Sequence, residues 1–181
     1  MVLTMTNLVI LGIDPGLDGV GAAVVDPSSG NSLPDTVRGL REIHTLKTSP
    51  RDPLGQRLGE LESGIREVIE TARPDVVAIE WPRHEGNYRR SGKVNRAQVN
   101  KLFCAIGSLL AGVSATDVEL RILRASGMPK RNRHKLLDSA AKQAGLKLPK
   151  TRHGNPREDE WDAIWVAHQL RSGMYTPYEK D

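Results

Sequence analysis

An α/β fold, built on a mixed five-stranded sheet flanked by helices, is what this sequence predicts. Three observations carry that prediction. Short apolar runs at the start of the chain are separated by turn residues; two long segments further on repeat apolar residues every three or four positions; and two more short apolar runs alternate with those segments. Strands joined by turns pair antiparallel, whereas a strand reached through a helix returns parallel, so this order forces a mixed sheet.

The first run, Leu8 to Ile13, is continuous and apolar, the pattern of a strand covered on both faces, and it stops on Asp14-Pro15-Gly16. Val20 to Val25 reads as a second strand and Val37 to Leu46 as a third, with Asp26 to Gly30 as the turn between them. Leu54, Leu58, Leu61, Ile65, Val68 and Ile69 place an amphipathic helix over Pro53 to Ala72, ended by Pro74. Val76 to Ile79 is a buried strand that stops on Glu80. Val99, Leu102, Phe103, Ile106, Leu109, Leu110 and Val113 form a second helical face, Val118 to Leu123 a fifth strand, and Lys135 to Ala144 and Glu158 to Leu170 two last helices. Asn155 as N-cap, Pro156 in the first turn and Glu158 as the returning acid suggest a capping box at the start of the final helix. One domain over residues 1–181 is expected, with a core from about residue 8 to 171 and a short irregular tail over 172–181.

Length and charge bound the function. A chain of 181 residues with 38% apolar residues can bury a real core. Its net charge is +4 and its pI about 9.4, which suits a polyanionic partner. No apolar run approaches the roughly 18 residues that span a bilayer, and no charged leader and cleavage site precede Leu8, so a cytoplasmic protein with no membrane partner is expected. Cys104 is the one cysteine and lies in a helical apolar pattern, where a buried inert thiol is the ordinary outcome.

Against this basic background, Asp14, Glu80, Asp159 and Asp162 each stand at the polar edge of an apolar segment. Asp14 and Glu80 end strands on the side where open α/β sheets bind ligands, and Asp159 and Asp162, three apart, share a helical face. Taken singly, an Asp before Pro-Gly is a turn former and acids in a first helical turn complement the helix dipole. Together they carry a cost. Four carboxylates within about 6 Å repel by roughly 2 to 3 kcal/mol per pair at an effective dielectric near 20, on the order of 15 kcal/mol for the set. Cations or protons must offset it, and oxygen-only donors favour Mg²⁺ or Mn²⁺ over zinc. Two such ions suit an in-line phosphodiester displacement.

The cations fall in two runs. Arg83, Arg89, Arg90, Lys93, Arg96 and Lys101 face one acid, Glu85; Arg121, Arg124, Lys130, Arg131, Arg133 and Lys135 face none. Such runs neutralise phosphates, and Arg83, Tyr88, Arg89, Arg90, Lys93, Arg96, Lys130, Arg131, Arg133 and Lys135 are the candidate DNA contacts. His44, His84, His134, His153 and His168 show no ligand spacing; His134 and His153, among basic residues, could touch phosphates, with exposed loop histidines as the preferred reading.

The segments Leu11-Gly12-Ile13-Asp14-Pro15-Gly16, Pro74-Asp75-Val76-Val77-Ala78-Ile79-Glu80 and Asn155-Pro156-Arg157-Glu158-Asp159-Glu160-Trp161-Asp162-Ala163 resemble, in order and spacing, the acidic motifs of the RuvC-type Holliday junction resolvases, crossover junction endodeoxyribonucleases of the RNase H-like superfamily. The resemblance spans roughly Leu8 to Leu170. It implies an RNase H-like fold, a homodimer, and paired Mg²⁺-dependent nicks across a four-way DNA junction. Asp14, Glu80, Asp159 and Asp162 would then be the catalytic, metal-binding acids, with two Mg²⁺ per site and Mn²⁺ able to substitute. One position departs: where the family places a stacking aromatic three residues after the second acid, this chain has Arg83. Trp81 and Tyr88 are the candidate substitutes for base stacking, with core packing of Trp81 as the alternative.

Three alternatives stand beside the junction nuclease. These are a DNA-binding module without cleavage, an RNase H-like nuclease acting on other branched DNA or RNA/DNA hybrids, and a sugar-kinase or actin-like nucleotide binder. The last would need a second lobe for which 181 residues leave no room.

Overall fold

The computed structural model describes residues 7–27, 30–82, 96–125, 128–155 and 157–175. Five strands form one sheet in the order β3-β2-β1-β4-β5. β1 (Ile10–Asp14), β2 (Gly19–Val25) and β3 (Leu40–Lys47) are an antiparallel meander, while β4 (Val76–Trp81) and β5 (Glu119–Arg124) run parallel to β1. The switch from antiparallel to parallel falls where helices replace turns as connections, as the sequence predicts.

α2 (Leu54–Ala72) and α3 (Arg96–Ser114) cover one face. There Leu11, Ile13, Val20, Ala22, Val24, Val77 and Ile79 meet Leu61, Ile65 and Ile69 of α2 and Ala105, Leu109 and Val113 of α3. The alternate strand residues face α5 (Glu158–Ser172): Ile10, Val25, Val76 and Ala78 pack on Val166, Ala167 and Leu170. α4 (Lys130–Gln143) and the short α1 (Leu33–Arg38) close over α5 from outside, with Val37, Leu137 and Ala140 in one cluster with Trp161, Ile164 and Trp165. α5 is therefore enclosed, and every residue from Glu160 to Arg171 is buried.

α5 sits low because the sheet beneath it is made of small residues. A Cβ on Gly12 would come within 2.6 Å of the Ala167 amide nitrogen, and one on Gly21 would run into the Asp159 carbonyl. Gly12 is flanked by Ala23 on β2 and Ala78 on β4. This lane lets the helix backbone lie on the strands, which fixes where Asp159 and Asp162 end up.

Several expectations are corrected. Val37 and Arg38 belong to α1, not to the third strand; Ser32 caps it, its Oγ accepting from the Asp35 amide at 3.3 Å. α4 starts five residues earlier than predicted, at Lys130. α5 is capped by Arg157, and no side chain among the described residues closes its first turn, so the Asn155 capping box does not form. Asn155 instead offers its carbonyl to the Thr151 amide at 2.8 Å, and Pro156 lies outside the described residues. Ser172 belongs to the helix and not to the tail. Cys104 is exposed, on the outer side of α3. Finally, Ala97–Ser114 is long and apolar enough to span a bilayer by length and composition, contrary to the expectation from the sequence. Its inner positions, Ala105, Leu109 and Val113, pack into the core beside α2.

Candidate active site

Strand pairing brings the first two acids side by side. Ile13 is in register with Ile79 on the parallel neighbour, so Asp14 and Glu80, one residue on, leave adjacent strand ends on the same face of the sheet. That is also the face of Gly12 and Ala78, hence the face α5 covers. Asp159 enters with the first turn of α5, near enough that a Cβ on Gly19 would lie 2.9 Å from its Oδ2. Asp162 follows on the same side of the helix and is buried. The four acids predicted from the sequence thus meet at one end of β1 and β4.

Their electrostatics show the crowding. Burial first, then the charges of Asp162 and Glu80, raise the Asp14 carboxyl well above its ordinary value; Lys130 opposes this and Asp159 adds to it. Asp159 is raised as well, by burial above all, with Lys130 acting against Asp162, Glu158 and Glu160.

The cations come from α4, and they are partly unexpected. Lys130 Nζ lies 2.9 Å from Asp162 Oδ2 and 3.0 Å from Glu158 Oε2. Arg133 reaches Glu80 Oε1 at 3.5 Å and Asp162 Oδ1 at 3.6 Å. His134 Nε2 is 3.0 Å from Asp162 Oδ1, and its ring packs edge-on against Trp161. His134 is therefore no exposed loop histidine, and Glu158 is an ion-pair partner and not a cap. The spacing of Lys130, Arg133 and His134, i, i+3 and i+4, is the sequence signal that places them on one face.

The other candidate contacts divide. Arg131 and Lys135 line a cleft beside the acids together with Lys150, Asp138 and Trp161. Arg121 pairs with Glu119 on β5. Arg96 opens α3. Arg83, Tyr88, Arg89, Arg90 and Lys93 lie outside the described residues. Trp81 packs against Phe103 of α3, ring centroids 5.4 Å apart.

Among the described residues no three His, Cys, Asp or Glu side chains close on one point as they stand, and Arg133 and His134 of α4 contact Glu80 and Asp162. The donor set itself fits a hard divalent ion. It is oxygen-only, and its members raise one another's affinity for positive charge.

Comparison with known proteins puts the segments of Asp14 and Glu80, but not that of Asp159 and Asp162, inside a matched family region. The family described as crossover junction endodeoxyribonuclease RuvC matches residues 10–112. The chain belongs to the RuvC family. A Nocardioides RuvC is 44% identical over 71 residues, 39% of this chain and 37% of that protein, and a Salinibacter ruber RuvC is 29% identical over 114 residues, 63% and 60% respectively. The chain thus spans from about a third to three fifths of these curated relatives. In structure it resembles Thermus thermophilus RuvC in complex with a Holliday junction substrate, with TM-score 0.68, 22% identity, and 94% of this chain and 99% of that one covered. It also resembles the yeast mitochondrial Holliday junction resolvase Ydc2, with TM-score 0.59, 11% identity, and 94% and 82% covered. At these identities the likeness establishes the RNase H-like fold, with its mixed five-stranded sheet.

Proposed function

We propose that this chain is a structure-selective DNA endonuclease that resolves four-way junctions by paired, divalent-ion-dependent nicks. The convergence of Asp14, Glu80, Asp159 and Asp162 at one end of the sheet, in a RuvC-family chain, carries the reading. In it these four carboxylates are the catalytic ligands of two Mg²⁺ per site, with Mn²⁺ as a substitute. When bound, the ions would supply an activated water and stabilise the leaving oxygen of the phosphodiester.

The chain's own residues do the rest. The strand ends hold Asp14 and Glu80 rigidly, and α5, seated on the glycine lane, holds Asp159 and Asp162 against them. Lys130 and Arg133, in contact with the acids, are assigned to the scissile phosphate, and Arg131, Lys135 and Lys150, which line a cleft beside them, to neighbouring phosphates. Arg83, Tyr88, Arg89, Arg90, Lys93 and Arg96 are further DNA contacts in this reading, on the strength of the sequence. Trp81, braced by Phe103, is the candidate for stacking at the crossover.

Paired nicks need two sites, so the reading includes a homodimer. α3 favours its own outer side as the contact. Cys104 is exposed there, and a Cβ on Gly107 would meet nothing within 4 Å among the described residues, leaving room for a second backbone. The chain is taken as a single nuclease domain working in the cytoplasm.

The testing experiment offers the protein a synthetic four-way junction, matched linear duplex, a flap and an RNA/DNA hybrid, first with Mg²⁺ and then with Ca²⁺. Symmetric cuts in the junction with Mg²⁺ are expected. Junction cutting no faster than duplex cutting contradicts the proposal, and preference for the flap or hybrid would reassign the substrate.

A further inference from the structure

Three basic side chains that contact the acid cluster come from one face of one helix. Lys130, Arg133 and His134 sit at i, i+3 and i+4 on α4 and reach Glu80 Oε1 and both carboxylate oxygens of Asp162. The Arg133 and His134 side chains are each 11% exposed, so these contacts are little screened by solvent or salt.

The way Arg133 is held distinguishes it from a fixed structural arginine. Among the described residues its buried Nε has no hydrogen-bond partner, and its two carboxylate contacts are at 3.5 and 3.6 Å, so charge more than hydrogen bonding keeps it in place. Arg57, buried on the other face of the sheet, shows the contrast. It donates from Nε to Thr48 Oγ1 at 2.9 Å and from NH2 to the Leu17 carbonyl at 3.3 Å and to Asp18. Arg57 is fastened by three acceptors, whereas Arg133 makes one long hydrogen bond, to Glu80, and one ion pair, to Asp162.

We propose that the α4 face of Lys130, Arg133 and His134 is a built-in competitor for the divalent ion. Ion binding by the carboxylates and withdrawal of Arg133 and Lys130 from them are then one coupled step. The inference rests on the reading that Asp14, Glu80, Asp159 and Asp162 hold that ion. Occupancy and sign carry it: Glu80 Oε1 and the Asp162 oxygens face α4's cations, and a divalent ion at the same oxygens is repelled by those charges. In the free protein, loading therefore needs a higher ion concentration than the four acids alone would set.

Calorimetric titration with Mn²⁺, at fixed ionic strength, tests this on the full chain. Arg133→Gln is expected to bind Mn²⁺ about fivefold more tightly or better, while Arg133→Lys, which keeps the charge, stays within about twofold of wild type. Equal or weaker Mn²⁺ binding by a folded Arg133→Gln protein overturns the proposal. Should that variant fail to fold by circular dichroism, Lys130→Gln, at a more exposed position, carries the same expectation and the same overturning result. No Mn²⁺ binding by wild type, Arg133→Gln or Lys130→Gln refutes the ion-site reading itself. Failure of the competitor alone leaves wild-type binding intact and abolished by Asp14→Asn, so the two failures are distinguishable.

Discussion

The guanidinium of Arg133 stands between Glu80 and Asp162, 3.5 Å from one carboxylate and 3.6 Å from the other. Crowded acids in this fold are thus met by positive charge from the chain itself. Burial first, then the charges of Asp162 and Glu80, raise the Asp14 carboxyl, and Lys130, 2.9 Å from Asp162, opposes that shift without any ion. In the proposed reading divalent ions would balance the cluster in one way, and α4 in another.

The seat of α5 predicts opposite outcomes for two glycine substitutions. Gly12→Ala drives a methyl into the Ala163 and Ala167 backbone and should destabilise the fold by about 3 kcal/mol or more. Gly59→Ala, in the interior of α2 with nothing within 4 Å of the new Cβ among the described residues, should stabilise it by about 0.5 to 1 kcal/mol. Urea unfolding of both variants gives the two signs directly.

The glycine lane also marks the limit of what the sequence makes legible. Asp14 and Glu80 can be placed because each ends an apolar run, and alternation in a strand gives the face of its last residue. Asp159 and Asp162 follow from helical spacing. The cationic side is harder, because a basic run looks the same whether it faces solvent or acids; only the tertiary approach of α4 decides that for Lys130, Arg133 and His134. Gly12, Gly21, Ala23 and Ala78 say little one strand at a time, and their shared face announces a close-packed helix only once the strands are paired. α1 carries a readable signal in Ser32-Leu33-Pro34-Asp35, where serine caps and proline opens the helix, but an extended run from Val37 to Leu46 masks it. Asn155 shows the converse, a residue type suited to capping whose backbone serves a turn with Thr151.

His168 predicts a specific acid sensitivity. It is buried on α5, with Nδ1 3.0 Å from Thr36 Oγ1, and burial, aided by the Arg171 charge, pushes its pKa down to about 4 from 6.5. Between those two values the unfolded chain takes up a proton that the folded chain refuses, so stability contributed above pH 6.5 is lost as pH falls towards 4. Wild type should lose about 2 to 3 kcal/mol more than His168→Gln between about pH 7 and pH 4. Parallel stability curves for the two proteins would show that His168 does not titrate this way.

Arg57 predicts a link between the first turn of α2 and the Asp14 loop. Its guanidinium satisfies the Leu17 carbonyl, Asp18 and Thr48, and Thr48 Oγ1 also donates to the Leu17 carbonyl at 2.6 Å. Arg57→Met leaves buried acceptors short of donors and should cost about 2 to 3 kcal/mol. Thermal melting measures that loss, and Arg57→Lys should recover part of it.

The dimer contact has its own test. Gly107→Arg places a long cation on the open side of α3, where a new Cβ meets no described atom of the chain within 4 Å. Light scattering should find wild type dimeric and the variant monomeric, with circular dichroism unchanged. Two proteins of equal mass in solution would move the contact elsewhere.

Whether the four-acid end of the sheet cuts junction DNA is decided by Asp14→Asn. Removing one charge from the like-charged cluster should leave the protein folded and able to bind a four-way junction in Ca²⁺. Cleavage in Mg²⁺ should fall by about 10³-fold or more, the scale of losing a group that acts in the transition state. Cleavage by folded Asp14→Asn at a rate near wild type would show that the acids meet at this end of the sheet for some other reason.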